Sequence, residues 1–123
     1  MRALVVDDSR AIRSVIGRIL KELNFEVLEA GNGKEALERL KQHGQPDVAL
    51  VDWNMPEMNG LEFVRAVRAD ANLRKLPMMM VTTETEMEQV AKALAAGASE
   101  YIMKPFTKDM IVEKLSLLGI LMS

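Results

Sequence analysis

The 123-residue chain contains no cysteine, which excludes a disulfide framework and a thiolate metal site. Aromatic residues make up only 4% of the sequence, so ten methionines supply much of the adaptable apolar volume for a core. No apolar run approaches the roughly 20 residues that a membrane-spanning helix needs. The first apolar run ends at Asp7 and is too short for a signal-peptide core. These features lead us to expect a cytoplasmic protein without a membrane association.

The charge balance is close to neutral, with a formal net charge of −2, and the lysines and arginines are scattered along the chain. A general nucleic-acid binder carries a basic stripe or patch, so nucleic acid is not expected as a partner. The length suits one domain with a core of its own. Because only Gly119–Ser123 follow the last predicted helix, we expect a single domain over residues 1–123.

Apolar runs alternate with amphipathic stretches from one end of the chain to the other, which is typical of a fold built from βα repeats. Right-handed crossovers between the strands then make a parallel sheet with helices on both faces. We predict strands at residues 3–7, 25–30, 48–51, 78–82 and 100–103, and helices at residues 10–23, 34–42, 60–69, 86–96 and 108–118.

The spacing of apolar residues predicts which helix faces are buried. In the first helix the predicted inward face includes Val15 and Ile16. In the fourth helix it includes Val90, Ala91 and Leu94.

The most informative stretch is the strand that leads to Asp52. Residues 48–51 are uninterrupted apolar residues, the pattern of a strand covered on both faces, and Asn54 and Pro56 then break the strand. Ionised acids are rarely buried without a partner. In open parallel sheets, ligands bind at the edge formed by the carboxyl ends of the strands. Asp52 is therefore a candidate functional residue.

Polar side chains also end other predicted strands. Asp7 and Asp8 follow the first strand, Thr82 ends the fourth, and Lys104 follows the fifth. Each has an ordinary explanation when taken alone, since Asp8 or Ser9 can cap the first helix and the others can be strand-end residues. Their recurrence at one sheet edge indicates a functional site. Carboxylates that converge there with Asp52 repel one another, and a hard divalent ion such as Mg²⁺ relieves that repulsion.

The motifs at these strand ends resemble the receiver domain of two-component response regulators. The resemblance covers essentially the whole chain, in order and with matching spacing, and implies an α/β, flavodoxin-like (βα)₅ fold. That fold is a doubly wound, parallel five-stranded sheet with strand order 2-1-3-4-5. Within the family the sequence is most similar to single-domain chemotaxis regulators. The matching segments are Val5-Val6-Asp7-Asp8, Asp52-Trp53-Asn54-Met55-Pro56, Met58, Gly60, Met80-Val81-Thr82, Gly97-Ala98-Ser99, Tyr101 and Lys104-Pro105-Phe106.

The resemblance implies a Mg²⁺-dependent phosphorylation of Asp52 by a histidine kinase. Lys104 and Thr82 would contact the phosphoryl oxygens, and a cis peptide bond between Lys104 and Pro105 would aim the lysine at the site. The protein would catalyse only its own phosphorylation and dephosphorylation, and so would be a signalling protein rather than an enzyme. The implied metal ligands are Asp7, Asp8, Asp52 and the backbone carbonyl of Asn54.

The resemblance also implies a switch and an output. Thr82 and Tyr101 would form the switch, and Asn54 and Glu84 would tune hydrolysis of the acyl phosphate. The phosphorylated monomer would bind its target through the face made by the fourth helix, fifth strand and fifth helix, and the flagellar motor switch is the leading candidate for that target.

Other functions fit the sequence less well. An intermediate receiver of a phosphorelay and an unphosphorylated pseudo-receiver are the alternatives within the family. A hydrolase with an aspartyl-phosphate intermediate needs a second acid two residues after the nucleophile, where this chain has Asn54. A flavodoxin-like cofactor binder needs a phosphate-binding loop after the first strand, but Asp7 and Asp8 make that loop acidic and no glycine-rich cradle is present in the sequence.

Overall fold

A computed structural model describes residues 1–83 and 87–121 of the chain. Strands and helices alternate through this part of the sequence. The elements are β1 (Arg2–Val6), α1 (Arg10–Glu22), β2 (Glu26–Ala30), α2 (Gly33–His43), β3 (Val48–Asp52), α3 (Gly60–Ala69), β4 (Met78–Thr82), α4 (Met87–Ala96), β5 (Glu100–Met103) and α5 (Lys108–Leu117). Among the described residues, no helix has the length and apolar character required to cross a membrane.

The strands form one parallel sheet in the order β2-β1-β3-β4-β5. This arrangement confirms the predicted (βα)₅ fold and its strand order. β1 lies between β2 and β3, and the pairing sets Val6 opposite Val51. The register between β3 and β4 sets Asp52 opposite Val81, so the carboxyl ends of β1, β3 and β4 lie side by side at one edge.

Two apolar cores cover the two faces of the sheet. Along β3, Ala49 and Val51 belong to the core beneath α2, α3 and α4, whereas Val48 and Leu50 belong to the core beneath α1 and α5. Every residue of β3 is buried, as the uninterrupted apolar run predicts. A strand buried on both faces holds its last residue, Asp52, in a fixed position.

The helix ends follow from local capping chemistry. Of the two predicted caps for α1, Ser9 is the one used, and its hydroxyl accepts a hydrogen bond from the Ile12 amide at 3.3 Å. Asn59 and Glu62 form a reciprocal capping box at the start of α3. Asn24 follows α1 with a φ of 69°, a left-handed conformation that asparagine tolerates at a helix exit.

Two predicted helix faces are corrected by the structure. Val15 of α1 is 47% exposed rather than buried. On α4, Val90 and Ala93 are buried, whereas Ala91 and Leu94 are exposed. Alanines lie on several sides of α4, so periodicity alone does not distinguish its inward face.

Candidate functional site

Asp7 and Asp52 are brought together by the pairing of β1 with β3. Asp7 comes directly after β1, and its amide donates a hydrogen bond to the Ala30 carbonyl at 3.1 Å. Asp52 is the last residue of β3, and the next amide, that of Trp53, donates to the Val81 carbonyl at 3.1 Å. Asp7 is 1% exposed and Asp52 is 5% exposed. Both acids are therefore fixed by the sheet and largely removed from solvent.

Asp8 completes a cluster of three acids with Asp7 and Asp52. One carboxylate oxygen from each of the three lies within 4.8 Å of the other two, and Asp8 is the exposed member. Within the described residues, Oδ2 of Asp7 is buried and accepts no hydrogen bond. A buried carboxylate oxygen that lacks a donor, beside two further carboxylates, matches the oxygen ligands of a hard divalent cation.

Lys104 follows β5 and brings a positive charge to the same edge. Its Nζ lies 3.1 Å from Oδ1 of Asp52 and 3.7 Å from Oδ2 of Asp7. The Lys104 amide donates to the Thr82 carbonyl at 2.7 Å. The peptide bond to Pro105 is cis, as the sequence resemblance implies. One ammonium group thus faces two buried carboxylates.

The electrostatics of the site favour a bound cation. Burial raises the pKa of Asp52 to about 6, with the charge of Asp7 adding to the effect of burial and Lys104 opposing it. Burial also raises the pKa of Asp7, and the Ser9 amide and Lys104 oppose that rise. Ionisation of both acids is unfavourable because the positive charge nearby does not fully offset their burial. A divalent cation would therefore stabilise their ionised forms.

Thr82 and Tyr101 lie on adjacent strands near this edge. Thr82 is 1% exposed, and its hydroxyl donates a hydrogen bond to the Thr83 carbonyl at 3.3 Å. Tyr101 is half-buried against the core beneath α2, α3 and α4. Nζ of Lys114 lies 5.1 Å from the centre of its ring. Tyr101 therefore packs on the side of the sheet that α4 covers, with the Lys114 side chain of α5 over its ring.

Of the two residues predicted to tune hydrolysis, Asn54 belongs to the described part of the chain and Glu84 does not. Asn54 is exposed, in the loop that leaves β3, and lies two residues beyond Asp52. Glu84 lies outside the described residues.

Two residues beside the acids make close contacts that sequence reasoning did not predict. Arg13 of α1 donates a hydrogen bond from Nη1 to the Asp7 carbonyl. Gly60 lies so close to β3 that an added Cβ would stand 2.9 Å from the Asp52 carbonyl oxygen. In the sequence, the Asn59-Gly60 pair indicates a turn but not a close backbone approach.

Comparison with known proteins identifies the family. The family model described as the response regulator receiver domain matches residues 3–116. The chain belongs to the response regulator receiver family. This receiver domain is 47% identical over 116 residues to the chemotaxis protein CheY1 of Helicobacter pylori, with 94% of each chain covered. It is also 47% identical over 116 residues to the chemotaxis protein CheY homolog of Campylobacter jejuni, with 94% of this chain and 89% of that protein covered.

Solved structures share the fold of the receiver domain. The chemotaxis response regulator CheY4 of Vibrio cholerae superimposes with a TM-score of 0.85 at 38% identity, and the match covers 98% of both chains. The receiver domain of a sensor histidine kinase from Pseudomonas aeruginosa superimposes with a TM-score of 0.85 at 26% identity over 94% of both chains. That Pseudomonas structure has a magnesium ion coordinated in its active-site cleft.

Proposed function

We propose that the protein is a response regulator that a histidine kinase phosphorylates on Asp52 in a Mg²⁺-dependent reaction. The observation that carries the proposal is the meeting of Asp7, Asp8 and Asp52, with oxygen atoms within 4.8 Å of one another, beside the Lys104 ammonium group. Phosphoryl transfer needs positioning and charge neutralisation more than covalent chemistry from the protein, and this site offers both.

The proposed metal ligands are Asp7, Asp8 and Asp52 together with the backbone carbonyl of Asn54. Oxygen ligands from one or two carboxylates, with water and phosphate oxygens, are what Mg²⁺ prefers in proteins. Bound there, Mg²⁺ supplies positive charge to the phosphoryl oxygens and relieves the repulsion between the acids. The magnesium ion in the related Pseudomonas receiver domain supports this assignment.

In the proposed reaction, a carboxylate oxygen of Asp52 attacks the phosphorus atom of a phosphohistidine. The new P–O bond makes an acyl phosphate, the P–N bond breaks, and its electron pair stays with the imidazole of the donor. Because the pKa of Asp52 is about 6, the carboxylate is mostly ionised at neutral pH and is available as the nucleophile. Lys104 and Thr82 would contact the phosphoryl oxygens, the lysine as a point charge and the threonine as a hydroxyl donor.

The proposed switch passes from Thr82 to Tyr101. A phosphoryl group on Asp52 would recruit the Thr82 hydroxyl, which now donates to the Thr83 carbonyl, and the movement would open space for the Tyr101 ring. The output surface would be the face of α4, β5 and α5, where a target binds the population favoured by phosphorylation. Asn54 and Glu84 would set the lifetime of the acyl phosphate.

Chemotaxis is the proposed pathway, and the two CheY relatives support it because the match spans 94% and 89% of those proteins. In this proposal residues 1–123 act as one stand-alone, monomeric, cytoplasmic receiver domain, and the flagellar motor switch is the target. Neither nucleic acid nor a membrane would be a partner.

Fluorescence of Trp53 tests the metal site. Trp53 is the only tryptophan of the chain and adjoins Asp52, so its emission should change as Mg²⁺ is added, and change again with the phosphoryl mimic beryllofluoride. Asp8→Asn should weaken the Mg²⁺ response severalfold, whereas Glu38→Gln, which removes an exposed acid of α2, should leave it unchanged. Wild-type Trp53 emission that changes with neither Mg²⁺ nor beryllofluoride would contradict the proposed function.

A further inference from the structure

Arg13 of α1 connects the acid cluster to β2. Its guanidinium donates one hydrogen bond from Nη1 to the Asp7 carbonyl and another from Nε to Oε1 of Glu29 at 3.2 Å. The side chain is only 18% exposed, although it belongs to a surface helix. The ion pair with Glu29 compensates the charge of Arg13. Nη1 of the same guanidinium is then available to the backbone of Asp7.

The Asp7 carbonyl is part of the peptide group that joins Asp7 to Asp8. Among the described residues, three hydrogen bonds hold this segment, in addition to the ion pair of Asp7 with Lys104. The Asp7 amide donates to Ala30, the Ser9 amide donates to Oδ1 of Asp7 at 2.8 Å, and the Asp7 carbonyl accepts from Arg13. Of these three hydrogen bonds, only the third is made by the carbonyl of the Asp7–Asp8 peptide group. The tilt of that peptide group sets where the Asp8 side chain leaves the backbone.

We propose that Arg13 is a positioning residue that orients the Asp7–Asp8 peptide and thereby sets the spacing of the acids for a divalent cation. The inference rests on the proposed function of the acid cluster. Within the described part of the chain, Arg13 makes no hydrogen bond or ion pair with the carboxylate oxygens of the cluster. It acts through the backbone of Asp7, as groups that orient metal ligands commonly do.

The sign of the effect separates positioning from simple electrostatics. A guanidinium near the cluster repels a cation, so removing its charge would by itself tighten Mg²⁺ binding. If Arg13 instead orients the peptide, its removal weakens binding, because Asp8 then samples positions in which the carboxylates no longer converge. The two explanations therefore predict opposite changes in affinity.

The experiment is a Mg²⁺ titration of Trp53 fluorescence in wild type, Arg13→Ala, Arg13→Lys and Arg18→Ala. Arg18→Ala is the matched control, since it removes an exposed arginine from the same helix. Arg13→Ala should bind Mg²⁺ about tenfold more weakly, the low end of the usual loss for residues that orient metal ligands. Arg13→Lys should recover part of this loss, because an ammonium group can reach the Asp7 carbonyl but cannot also span to Glu29 in a fork.

Amide hydrogen exchange of the metal-free protein gives a second, independent measurement. Exchange of the Ser9 amide should be faster in Arg13→Ala than in wild type, while the Val51 amide of β3 exchanges at the same rate in both and reports an intact fold. Arg18→Ala should change neither rate.

Unchanged or tighter Mg²⁺ binding by Arg13→Ala, with normal wild-type binding, would overturn the role of Arg13 but leave the proposed function standing. Wild-type protein that does not bind Mg²⁺ would instead contradict the proposed function, and the Ser9 exchange rate would then decide the role of Arg13. An unchanged rate would overturn it.

Discussion

Asp52 shows how one residue can be costly to the fold and useful to the site. It is 5% exposed and faces the second buried acid, Asp7. Lys104 is the positive group that the structure places against both carboxylates. The ionised pair is therefore an unfavourable state of the metal-free protein, and a cation that binds only the folded state gains from relieving it.

The buried acid predicts a pH-dependent stability. The pKa of Asp52 is 3.8 in its ordinary state and about 6 in the fold, so the folded protein binds a proton more readily than the unfolded chain. The resulting stabilisation is complete below about pH 4 and is lost as the pH rises through about 6. Asp52→Asn should thus raise the free energy of unfolding of the metal-free protein at neutral pH by on the order of 1–3 kcal/mol.

Urea unfolding of the metal-free protein measures this difference. The gain from Asp52→Asn should shrink as the pH is lowered toward about 4, where folded Asp52 is protonated and the unfolded carboxyl is about half protonated. Glu38→Gln, at an exposed acid, serves as the control. A gain of the same size at neutral and acidic pH would show that packing, rather than ionisation, accounts for it.

At the scale of residues, composition and position were enough to predict acids at the ends of two strands, and the strand order that brings them together came from the family resemblance. Paired acids after one strand and a lone acid after another converge once the strands are neighbours. The residues that hold the acids in place were not predictable in the same way. Ser9 rather than Asp8 caps α1, and the sequence alone left both open. Arg13 reaches the Asp7 carbonyl only because α1 folds back along β1, which residue spacing does not show.

Two glycines in helices differ in whether the structure leaves room for a side chain. At Gly60, the first residue of α3, an added Cβ would stand 2.9 Å from the Asp52 carbonyl oxygen and 3.0 Å from Cα of Trp53. At Gly17, inside α1, its nearest neighbour would be Cγ1 of Val27 at 3.8 Å, an ordinary contact distance. The first position needs glycine for close approach of α3 to β3, whereas the second does not.

Alanine substitutions at the two glycines should therefore have opposite signs. Gly17→Ala should stabilise the protein by about 0.5–1 kcal/mol, because alanine is the better helix residue. Gly60→Ala should destabilise it by about 1–3 kcal/mol, because the backbone beside Asp52 must move. Thermal unfolding checks both signs, and a Gly60→Ala variant as stable as wild type would contradict the close packing of α3 on β3.

The contact between β5 and α5 gives a prediction about Tyr101. Lys114 lies over the Tyr101 ring and pairs with Oε1 of Glu100 at 3.2 Å, and the same oxygen accepts a hydrogen bond from the Tyr101 amide at 3.0 Å. Lys114→Met should shift the ring signals of Tyr101 in NMR spectra of the unphosphorylated protein, because the cation and the partner of Glu100 are both lost. Tyr101 is the only tyrosine, so its signals are unambiguous.

Lys108→Met is the matched control for Lys114→Met. Lys108 is also a lysine of α5 with a glutamate partner, Glu22, at 2.9 Å, but both side chains of that pair are nearly half exposed. This variant should leave the Tyr101 signals in place, and both variants should lose less than about 1 kcal/mol of stability. Tyr101 signals that do not respond to Lys114→Met would show that the lysine does not restrain the ring.

At the scale of elements, the sequence predicted the type and order of every strand and helix described, with ends within one or two residues of those observed. It failed on the orientation of α4, where Ala93 is buried and Leu94 is exposed. Alanines on several sides of a helix weaken the contrast on which periodicity depends. The inward face is then chosen by the fit of small residues against α3 and β4, which is a tertiary effect.

For the whole molecule, the alternation of strands and helices was enough to predict a parallel sheet between two helical layers. Periodicity did not supply the strand order 2-1-3-4-5, because many arrangements of five buried strands satisfy the same pattern. The order came from the family resemblance and is confirmed by the sheet. It matters for function because it makes β1 and β3 neighbours and so brings Asp7 and Asp52 together.

The measurement that tests the central claim most directly is the intact mass of the protein after incubation with Mg²⁺ and acetyl phosphate or carbamoyl phosphate. Wild type should gain the mass of one phosphoryl group, the gain should require Mg²⁺, and Asp52→Asn should gain nothing. A wild-type mass that stays unchanged with every donor, or an equal gain in Asp52→Asn, would contradict the assignment of Asp52 as the phosphorylated residue.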